Sequence, residues 1–424
     1  MAKIMASKRA KRRAARRAVS ALTLVAFVFT QTGALAGPIA DPAAPIGFRP
    51  TITTAPSGAS VVDIVAPSAA GTSHNKYSGF GVETPGVVLN NSLGAGTSAL
   101  AGALGANPNF AGAFASVILN EVTGSGASSL AGPLEVFGHA AAVIIANPNG
   151  IACAGCSFLN APRVTLTTGV PFYSPSGLLG LNVTGGTVGV SGPGLDASGI
   201  GRVDLLGGQI AVTGAVTGAA QLNLLAGKLA YDYAPGSATP APGTSGTGYA
   251  IDATALGSFS AGRIQLQATD AGVGVRALGG VAATAEDIVL AASGEVQVAG
   301  ANAARDLVVT AGAFHASATN TLGRDFVATV GSLTNVGSLT AGRNVALGAA
   351  GSVTNAGNLE AGETAAVSAG GSLANTGSLA AETLTLSAAT IANLAGAVLA
   401  RSGALSLASA GAIDNRAGSL SGTG

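Results

Sequence analysis

The sequence has very few of the residues that fill a conventional globular core or an enzyme site. It contains no tryptophan, aromatic residues make up 4% of its 424 positions, and charged residues make up 9%. So few aromatic side chains exclude an ordinary core of large residues. The 48% of hydrophobic residues nevertheless exclude intrinsic disorder, because disordered chains are polar and charged. The composition, with 64 glycines, suits a thin rod packed with alanine, valine and leucine.

Basic residues are concentrated at the start of the chain. Residues 1–36 contain eight lysines and arginines and no acidic residue. The remaining chain has 12 basic and 19 acidic residues and therefore a net charge of −7, although the whole sequence has a formal charge of +1. Without a basic patch, the protein is not expected to bind nucleic acid.

The first 36 residues have the order of a secretory signal peptide. A basic segment, residues 3–17, precedes an apolar segment, residues 18–30, and Ala34-Leu35-Ala36 matches the small-residue cleavage pattern. We therefore predict a signal peptide over residues 1–36, cleaved between Ala36 and Gly37. The apolar segment is short for a transmembrane helix, which needs about 20 residues. The alternative is a basic nucleic-acid arm or a membrane anchor.

The chain has two cysteines, Cys153 and Cys156, in the sequence Cys-Ala-Gly-Cys. In an oxidising compartment they could form a small disulfide or remain spare thiols. A redox pair would need a βαβ context, and zinc would need two more ligands, whereas His74, His139 and His315 are scattered. We therefore predict no metal and no cofactor.

A unit of about 20 residues recurs at the end of the chain. Near-copies cover residues 331–350, 351–370 and 371–390, a fainter copy starts at Ile391, and a broken one starts at Gly411. A fixed period predicts stacked units. Within each unit small polar and apolar residues alternate, as in a half-buried strand, so each unit is predicted to be one coil of a parallel β-helix. The many Gly, Ser, Thr, Asn and Val residues disfavour helices.

Stacked coils lie about 4.8 Å apart, so equivalent residues lie above one another. Three aliphatic columns, which include Leu333, Leu339 and Leu347, are predicted to fill the interior. An asparagine column is predicted to form a ladder of side-chain amides at a bend. The alternative is ligand binding by these residues, which are Asn335, Asn355, Asn375, Asn393 and Asn415.

Two Asn-Pro-Asn segments precede the repeats. Proline fixes φ at the second position of a turn and the flanking asparagines bind backbone, so turns are predicted in both. They are Asn107-Pro108-Asn109-Phe110 and Asn147-Pro148-Asn149-Gly150-Ile151. Five prolines between residues 37 and 65 predict an extended N-terminal cap, which a solenoid needs to protect its end.

These turns, together with the segments SHNKY at residues 73–77, PGVVLNN at 85–91 and RVTLTTG at 163–169, resemble the secretion domain of two-partner secretion exoproteins of the filamentous haemagglutinin family. The first turn departs from the family's motif, with Phe110 in place of leucine. The resemblance implies an all-β fold, a right-handed, single-stranded parallel β-helix with an N-terminal cap and extra-helical strands. It implies a secretion domain over residues 37–290 and a repeat rod over residues 291–424.

The resemblance also implies export from a Gram-negative bacterium. The Sec machinery would carry the chain to the periplasm, and an outer-membrane barrel transporter with POTRA domains would recognise it there. The chain would then be a secreted or cell-surface adhesin with host-cell or bacterial surface receptors. The alternative is the N-terminal delivery fragment of a contact-dependent growth-inhibition toxin. Because the sequence stops within a coil at Gly424, we expect a truncated frame or a fragment.

The sequence does not indicate an enzyme. Acidic residues are sparse, and neither a supported Ser–His–Asp order, an HExxH motif nor a phosphate loop occurs. The turn residues are expected to act mainly by holding the coil, with direct contact to the transporter as the alternative.

Overall fold

The chain winds into coils of short β-strands, with three strand positions in each coil. A computed structural model describes residues 37–174 and 177–423, in which strands of one coil pair in parallel with those of the coils before and after it. One sheet of 24 strands and another of 16 strands run along the stack. These observations confirm the predicted fold class, and the described residues contain no α-helix.

The three strand positions define three faces of the stack. Face 1 consists of Thr72–Gly79, Val117–Val122, Ala142–Ala146, Arg163–Thr167, Arg202–Gly207, Gln221–Ala226, Arg263–Ala268, Ile288–Ala291, Val345–Ala349 and Leu405–Ser409. Face 2 consists of Ser128–Leu130, Ile151–Cys153, Thr187–Val190, Gln209–Val212, Tyr249–Ala253, Gly274–Ala277, Glu295–Val298, Val353–Asn355 and Ile413–Asp414. Four longer strands span faces 1 and 2, namely Leu307–Ala316, Phe326–Asn335, Thr364–Asn375 and Thr383–Asn393. Face 3 consists of Ser60–Asp63, Val87–Asn91, Pro133–Gly138, Cys156–Leu159, Leu195–Asp196, Val216–Thr217, Phe259–Ala261, Val281–Ala283, Ala301–Ala303, Thr319–Leu322, Ser338–Ala341, Asn358–Ala361, Ser378–Ala381, Ala397–Ala400 and Ser419–Ser421.

Aliphatic side chains fill the interior of the coils. Val353 pairs with Leu373, and Leu373 pairs with Ile391, so one of the predicted columns is continuous. All three side chains are at most 2% exposed. The predicted columns that contain Leu339 and Leu347 are also in register. A period of two therefore separates inside from outside in these strands, because successive side chains point to opposite faces.

The N-terminal segment caps the first coil. Ile39–Ala40 pairs antiparallel with Thr72–Gly79, and Thr51–Thr54 pairs antiparallel with Ser60–Asp63. A short 3-10 helix, Ile46–Phe48, lies between these cap strands. The antiparallel strands cover edges that would otherwise expose unpaired backbone groups, so the structure confirms the predicted cap.

Two small antiparallel sheets lie outside the coils and confirm the predicted extra-helical strands. One is the hairpin of Gly96–Ser98 and Gly102–Leu104. The other has four strands, in the order Val170–Ser174, Gly177–Val183, Leu229–Asp232 and Ser237–Pro240. The larger sheet covers the outside of face 1, where Leu119, Ile144, Leu206 and Leu225 pack against Leu181 and Tyr231. Strands of face 1 in this region are therefore apolar on both sides, unlike the alternating strands of the repeats.

A buried carboxylate anchors the smaller hairpin to face 3. Glu135 is 7% exposed and accepts hydrogen bonds from the Ser98 hydroxyl at 2.7 Å and from the backbone N–H groups of Ala99 at 3.0 Å and Leu100 at 2.9 Å. Three donors compensate the cost of removing this charge from water.

The sheets continue across the predicted boundary between residues 290 and 291. Ile288–Ala291 pairs with Arg263–Ala268 on one side and with Leu307–Ala316 on the other. The coils of the predicted secretion domain and of the predicted rod therefore share the same faces and the same interior.

Candidate functional site

Both Asn-Pro-Asn segments form turns that bind neighbouring coils. In the first, the buried side chain of Asn107 donates from Nδ2 to the carbonyl oxygens of Ile64 at 2.9 Å and Asn90 at 2.8 Å. Its Oδ1 accepts from the backbone N–H of Asn109 at 2.9 Å, and the N–H of Phe110 donates to the Asn107 carbonyl at 3.2 Å. Asn109 also donates from Nδ2 to Ile64, at 3.2 Å. The turn thus ties its coil to the end of the preceding face 3 strand.

The second turn has the same geometry and lies at the corner between faces 1 and 2. Nδ2 of Asn147 donates to the Gly126 carbonyl at 2.9 Å and to the Ser128 hydroxyl at 3.0 Å. Its Oδ1 accepts from the N–H of Asn149 at 3.0 Å. Nδ2 of Asn149 reaches the Gly124 carbonyl of the preceding coil at 2.8 Å. Each asparagine therefore stabilises its own turn and binds another coil.

The last two residues of the second motif position the next strand. Gly150 has a φ of +118°, and a Cβ at this position would lie 3.2 Å from the Thr187 carbonyl oxygen, so glycine suits both the conformation and the space. Ile151 comes directly after it and is fully buried in the core.

Burial divides the turn residues into two groups. Asn107 is 3% exposed and Asn147 is not exposed at all, so neither can contact another protein in the folded state. Four neighbouring residues, Pro108, Asn109, Pro148 and Asn149, are exposed. The buried asparagines can act only through the stability of the turn, whereas the exposed residues are accessible to a partner.

Buried asparagines of the segments at residues 73–77 and 85–91 also connect coils. Oδ1 of Asn75 accepts from the Val65 N–H at 2.9 Å. Oδ1 of Asn91 accepts from the Ala115 N–H at 2.8 Å, and its Nδ2 donates to the His139 carbonyl at 2.8 Å. Removal of any of these amides would leave buried backbone groups without partners, which costs about 1–3 kcal/mol each.

The segment at residues 163–169 supplies one part of a buried charged cluster. Asp204 is completely buried; it accepts from Arg163 Nε at 3.0 Å, from Arg202 Nε at 2.8 Å and from Asn223 Nδ2 at 2.9 Å. Arg163 also donates from Nη1 to the Tyr233 carbonyl at 2.8 Å. Burial disfavours the charged form of Arg163, but Tyr233 and Asp204 outweigh this effect and raise the pKa of the guanidinium above its ordinary value. The cluster joins the larger extra-helical sheet to face 1.

The two cysteines are bonded to each other in the structure. Cys153 ends a face 2 strand and Cys156 begins the next face 3 strand; their Cα atoms are 5.4 Å apart and both side chains are at most 1% exposed. The bond therefore spans a corner of one coil, inside the stack.

The asparagine column forms a chain of side-chain hydrogen bonds. Nδ2 of Asn335 donates to Oδ1 of Asn355 at 2.8 Å, and the same bond recurs from Asn355 to Asn375 at 2.8 Å, from Asn375 to Asn393 at 2.8 Å and from Asn393 to Asn415 at 2.7 Å. The first four side chains are at most 1% exposed. Because the column is inside the stack, the ladder interpretation is favoured over ligand binding.

Glycines beside the ladder allow the coils to approach. A Cβ on Gly357 would lie 1.9 Å from the Gly337 carbonyl oxygen, and one on Gly377 would lie 1.9 Å from that of Gly357. The two coils with one extra residue at this corner place Ala395 and Ala417 in the left-handed region, with φ of 60° and 58°.

The sequence analysis missed a column of ion pairs at the corner between faces 3 and 1. Arg324 binds Asp306 through two hydrogen bonds, at 3.1 and 2.9 Å, and Arg343 binds Asp325 of the preceding coil in the same way, at 3.2 and 2.5 Å. Arg305 lies 3.5 Å from Asp287. The recurrence of Arg-Asp at residues 305–306 and 324–325 and of Arg-Asn at 343–344, 19 residues apart, could have revealed that the repeat begins before residue 331.

Three further observations concern the described part of the chain. No group of three or more His, Cys, Asp or Glu side chains there could hold a metal ion. No helix there is long and apolar enough to cross a membrane. The predicted signal peptide and Ala36 lie outside the described residues, which begin at Gly37.

Comparison with known proteins gives consistent matches. The family model described as TPS secretion domain matches residues 36–298. The chain is 37% identical over 287 residues to the toxin CdiA of Yersinia pestis, and this alignment covers 66% of this chain and 9% of that protein. It is 39% identical over 254 residues to the filamentous hemagglutinin of Bordetella pertussis, and this alignment covers 58% of this chain and 7% of that protein.

A crystal structure of a filamentous hemagglutinin secretion domain has the same fold. It superposes with a TM-score of 0.58 at 36% identity and covers 71% of this chain and 97% of that one. The chain spans less than a tenth of the length of the two full-length relatives named above. The family model, however, matches well over half of the chain, and the matched region contains both asparagine turns. The chain belongs to the TPS secretion domain family.

Proposed function

We propose that this chain is a two-partner secretion exoprotein. Residues 37–290 serve as the secretion signal for an outer-membrane barrel transporter with POTRA domains, after the Sec machinery has carried the chain into the periplasm. Residues 291–424 contribute a rod that the transporter releases or presents at the cell surface. The observation that carries this proposal is the match of the TPS secretion domain over residues 36–298, which contain both asparagine turns.

The fold suits passage through a pore as an extended chain. Each coil pairs with its immediate neighbours, so it can fold as soon as its own residues emerge. Asn147 and Asn149 bind residues 124–128, which precede them in the chain, and Asn107 and Asn109 bind Ile64. Coils that emerge first can therefore act as the template for those that emerge later.

The test of this proposal is secretion with and without the transporter. Deletion of the gene of the cognate transporter should trap the protein in the periplasm, and the gene supplied in trans should restore release. N-terminal sequencing of the released protein should begin at Gly37. Unchanged release without the transporter would contradict two-partner secretion, and a mature chain that begins at Met1 would contradict the signal peptide.

The turn residues allow the two roles of the motif to be separated. Asn147→Ala should weaken the turn, whereas Pro148→Ala changes an exposed side chain that donates no hydrogen bond. Loss of secretion only in proportion to lost stability supports turn stabilisation. Loss of secretion in Pro148→Ala at unchanged stability supports direct contact with the transporter.

We propose an adhesin role without enzymatic activity for the exported protein. Its support is the similarity to filamentous hemagglutinin together with a continuous rod of coils. Removal of the gene should reduce adherence to host or bacterial cells, and the purified protein should block adherence of the wild type. The absence of both effects would contradict this role.

Toxin delivery is the second candidate, because the relative from Yersinia pestis at 37% identity carries the name toxin CdiA. The two candidates differ in the coding sequence expected downstream of residue 424. A long downstream frame that ends in a toxin domain, with an adjacent immunity gene, favours delivery. Growth competition against cells that lack the immunity gene would test it directly.

A further inference from the structure

A mixed aromatic and polar cleft lies beside the N-terminal cap, away from both asparagine turns. The cap contributes Gly47 and Phe48, the first face 1 strand contributes Thr72, His74 and Lys76, and the larger extra-helical sheet contributes Tyr173 and Leu178. The cleft has a volume of about 550 Å³. Residues 65–68, which follow the first face 3 strand, also line it, so four separate parts of the fold build its walls. The volume is within the range of pockets that hold small molecules.

Aromatic rings line this cleft in a chain that has very few of them. The ring of His74 is packed between Phe48, with centroids 4.9 Å apart, and Tyr173, with centroids 5.5 Å apart. Tyr173 is 46% exposed, although its position is fixed by a hydrogen bond of 3.0 Å between its hydroxyl and Nδ1 of His74. An ordered, exposed aromatic ring offers an apolar surface at a low cost in conformational entropy.

The charges at the cleft balance one another. His74 Nε2 lies 2.6 Å from the carboxylate of Glu121, and the Lys76 ammonium lies 3.5 Å from the same carboxylate. Burial and the charge of Glu121 raise the pKa of Tyr173, so its hydroxyl stays neutral. Because Nε2 of His74 donates to Glu121, the Tyr173 hydroxyl donates to Nδ1 and its oxygen remains free to accept. Both ring nitrogens of His74 are thus occupied, and the cleft offers hydroxyl oxygens and an ammonium group without an excess of positive charge.

This combination discriminates among classes of ligand. An anion such as phosphate would have to compete with Glu121 for Lys76. A purely apolar ligand would remove Lys76 and Thr72 from water without replacing their hydrogen bonds. A sugar ring has C–H groups on its flat faces, which pack on aromatic rings, and hydroxyl groups around its edge, which donate and accept hydrogen bonds.

We propose that this cleft is a binding site for a neutral pyranose, as a monosaccharide or as the terminal unit of a glycan. One face of the sugar ring packs on Tyr173. The sugar hydroxyls bind Lys76, Thr72 and the phenolic oxygen. This site is separate from the turns assigned to secretion, and it would give the exported protein a ligand of its own.

Saturation-transfer NMR on the purified exported chain tests this site. The probes are methyl β-D-galactoside, methyl β-D-glucoside and methyl α-D-mannoside, each at millimolar concentration, with inorganic phosphate tested separately by titration. At least one glycoside should receive saturation at its ring C–H protons. Tyr173→Ala should weaken binding about tenfold or more, whereas Tyr173→Phe should retain most of it because the ring remains.

Phe114→Ala is the matched control, since Phe114 is 42% exposed and stacks on His139 elsewhere on the surface. It should bind the glycoside as the wild type does, and thermal unfolding should establish that all three variants are folded. The proposal is overturned if none of the glycosides receives saturation, if Tyr173→Ala binds as the wild type does, or if inorganic phosphate binds in place of the sugars. Secretion of Tyr173→Ala should be normal, so failure of this proposal is distinct from failure of the secretion proposal.

Discussion

The side-chain oxygen of Asn335 is buried without a hydrogen-bond donor because the residue beside it in the preceding coil is Ala316. All other asparagines of the ladder receive a donor from the coil before them. Among the described residues, Asn335 is thus the start of a directional chain of amides. An unsatisfied buried acceptor of this kind costs about 1–3 kcal/mol.

Ala316→Asn should extend the ladder by one step and stabilise the protein. The new Nδ2 would donate to Oδ1 of Asn335, and we expect a gain of about 1 kcal/mol in the free energy of unfolding, measured by urea denaturation. Ala316→Leu is the control, because it adds volume without a donor. A loss of stability in Ala316→Asn equal to that in Ala316→Leu would contradict this account of the Asn335 oxygen. Asn320 lies at the same corner, and its side chain donates to the carbonyl oxygen of Ser338. The comparison of the two variants therefore separates the effect of the added donor from the effect of added side-chain volume beside Asn320.

Asn375→Ala should destabilise the stack more than loss of an exposed asparagine. The change leaves Oδ1 of Asn393 without a donor and removes the acceptor of Asn355, inside the core. We expect a loss of roughly 2–4 kcal/mol in the free energy of unfolding. Asn302→Ala, at an exposed position, should cost less than about 0.5 kcal/mol. Equal effects would mean that the ladder contributes no more than a surface residue.

Leu373→Asp should open the repeats locally. Leu373 is not exposed to solvent, and a carboxylate at this position would have no partner among the aliphatic residues of its column. The expected cost is roughly 3–5 kcal/mol. Hydrogen exchange should accelerate in the coils between residues 351 and 411, while the coils around Asn147 keep their protection, because each coil contacts mainly its neighbours.

The control for this change is Ser372→Asp, which places the same charge at the adjacent exposed position. It should leave exchange nearly unchanged. Acceleration along the whole stack in Leu373→Asp would show that the coils unfold as one unit.

Asn147→Ala should cost more stability than Asn149→Ala. Asn147 is buried; its side chain donates two hydrogen bonds and accepts two from Asn149, through the backbone N–H and Nδ2, whereas Asn149 is exposed. We expect losses of roughly 1–3 kcal/mol and 0.5–1 kcal/mol, respectively, in urea denaturation. The reverse order would contradict the division of the motif into a buried and an exposed group.

Acid should destabilise the region around the cap through Glu121. Burial raises the pKa of this carboxyl, but the hydrogen bond and charge of His74 and the charge of Lys76 outweigh burial and hold it below the ordinary value of 4.5. A carboxyl with a lowered pKa stabilises the folded state fully above its unfolded pKa, and this stabilisation is lost as the pH falls through the folded pKa. Stability should therefore decline below about pH 4.5.

Glu121→Gln should be less stable than the wild type at pH 7. It should lose less stability between about pH 5 and about pH 3, a range that brackets the ordinary glutamate pKa of 4.5. Glu83→Gln, at an exposed position, is the control and should keep the acid dependence of the wild type. The measurement is the midpoint of unfolding of the wild type and both variants at each pH in this range. An unchanged acid dependence in Glu121→Gln would show that other carboxyls account for it, such as Asp325, whose pKa the hydrogen bond from Arg343 lowers.

The sequence by itself determined the parallel β-helix and the composition of its interior. In the repeats, identical residues recur at the spacing of one coil, so Leu373 and Asn375 reveal their neighbours without any structure. Local turn chemistry also identified both Asn-Pro-Asn turns, because proline and asparagine act on backbone within a few residues. The prolines between residues 37 and 65 indicated the cap, and the family resemblance added the existence of extra-helical strands.

Only the tertiary structure decided which residues outside the repeats meet. Asp204 lies beside Arg163, 41 residues earlier, and Tyr173 reaches His74, 99 residues earlier. The larger extra-helical sheet covers one side of face 1, and hence it buries residues there that would be exposed in the repeats. Such contacts have no period along the chain, because they depend on where the inserted strands fold back onto the coils. The free energy of burying the outside of face 1 determines that position, and no local sequence pattern encodes it.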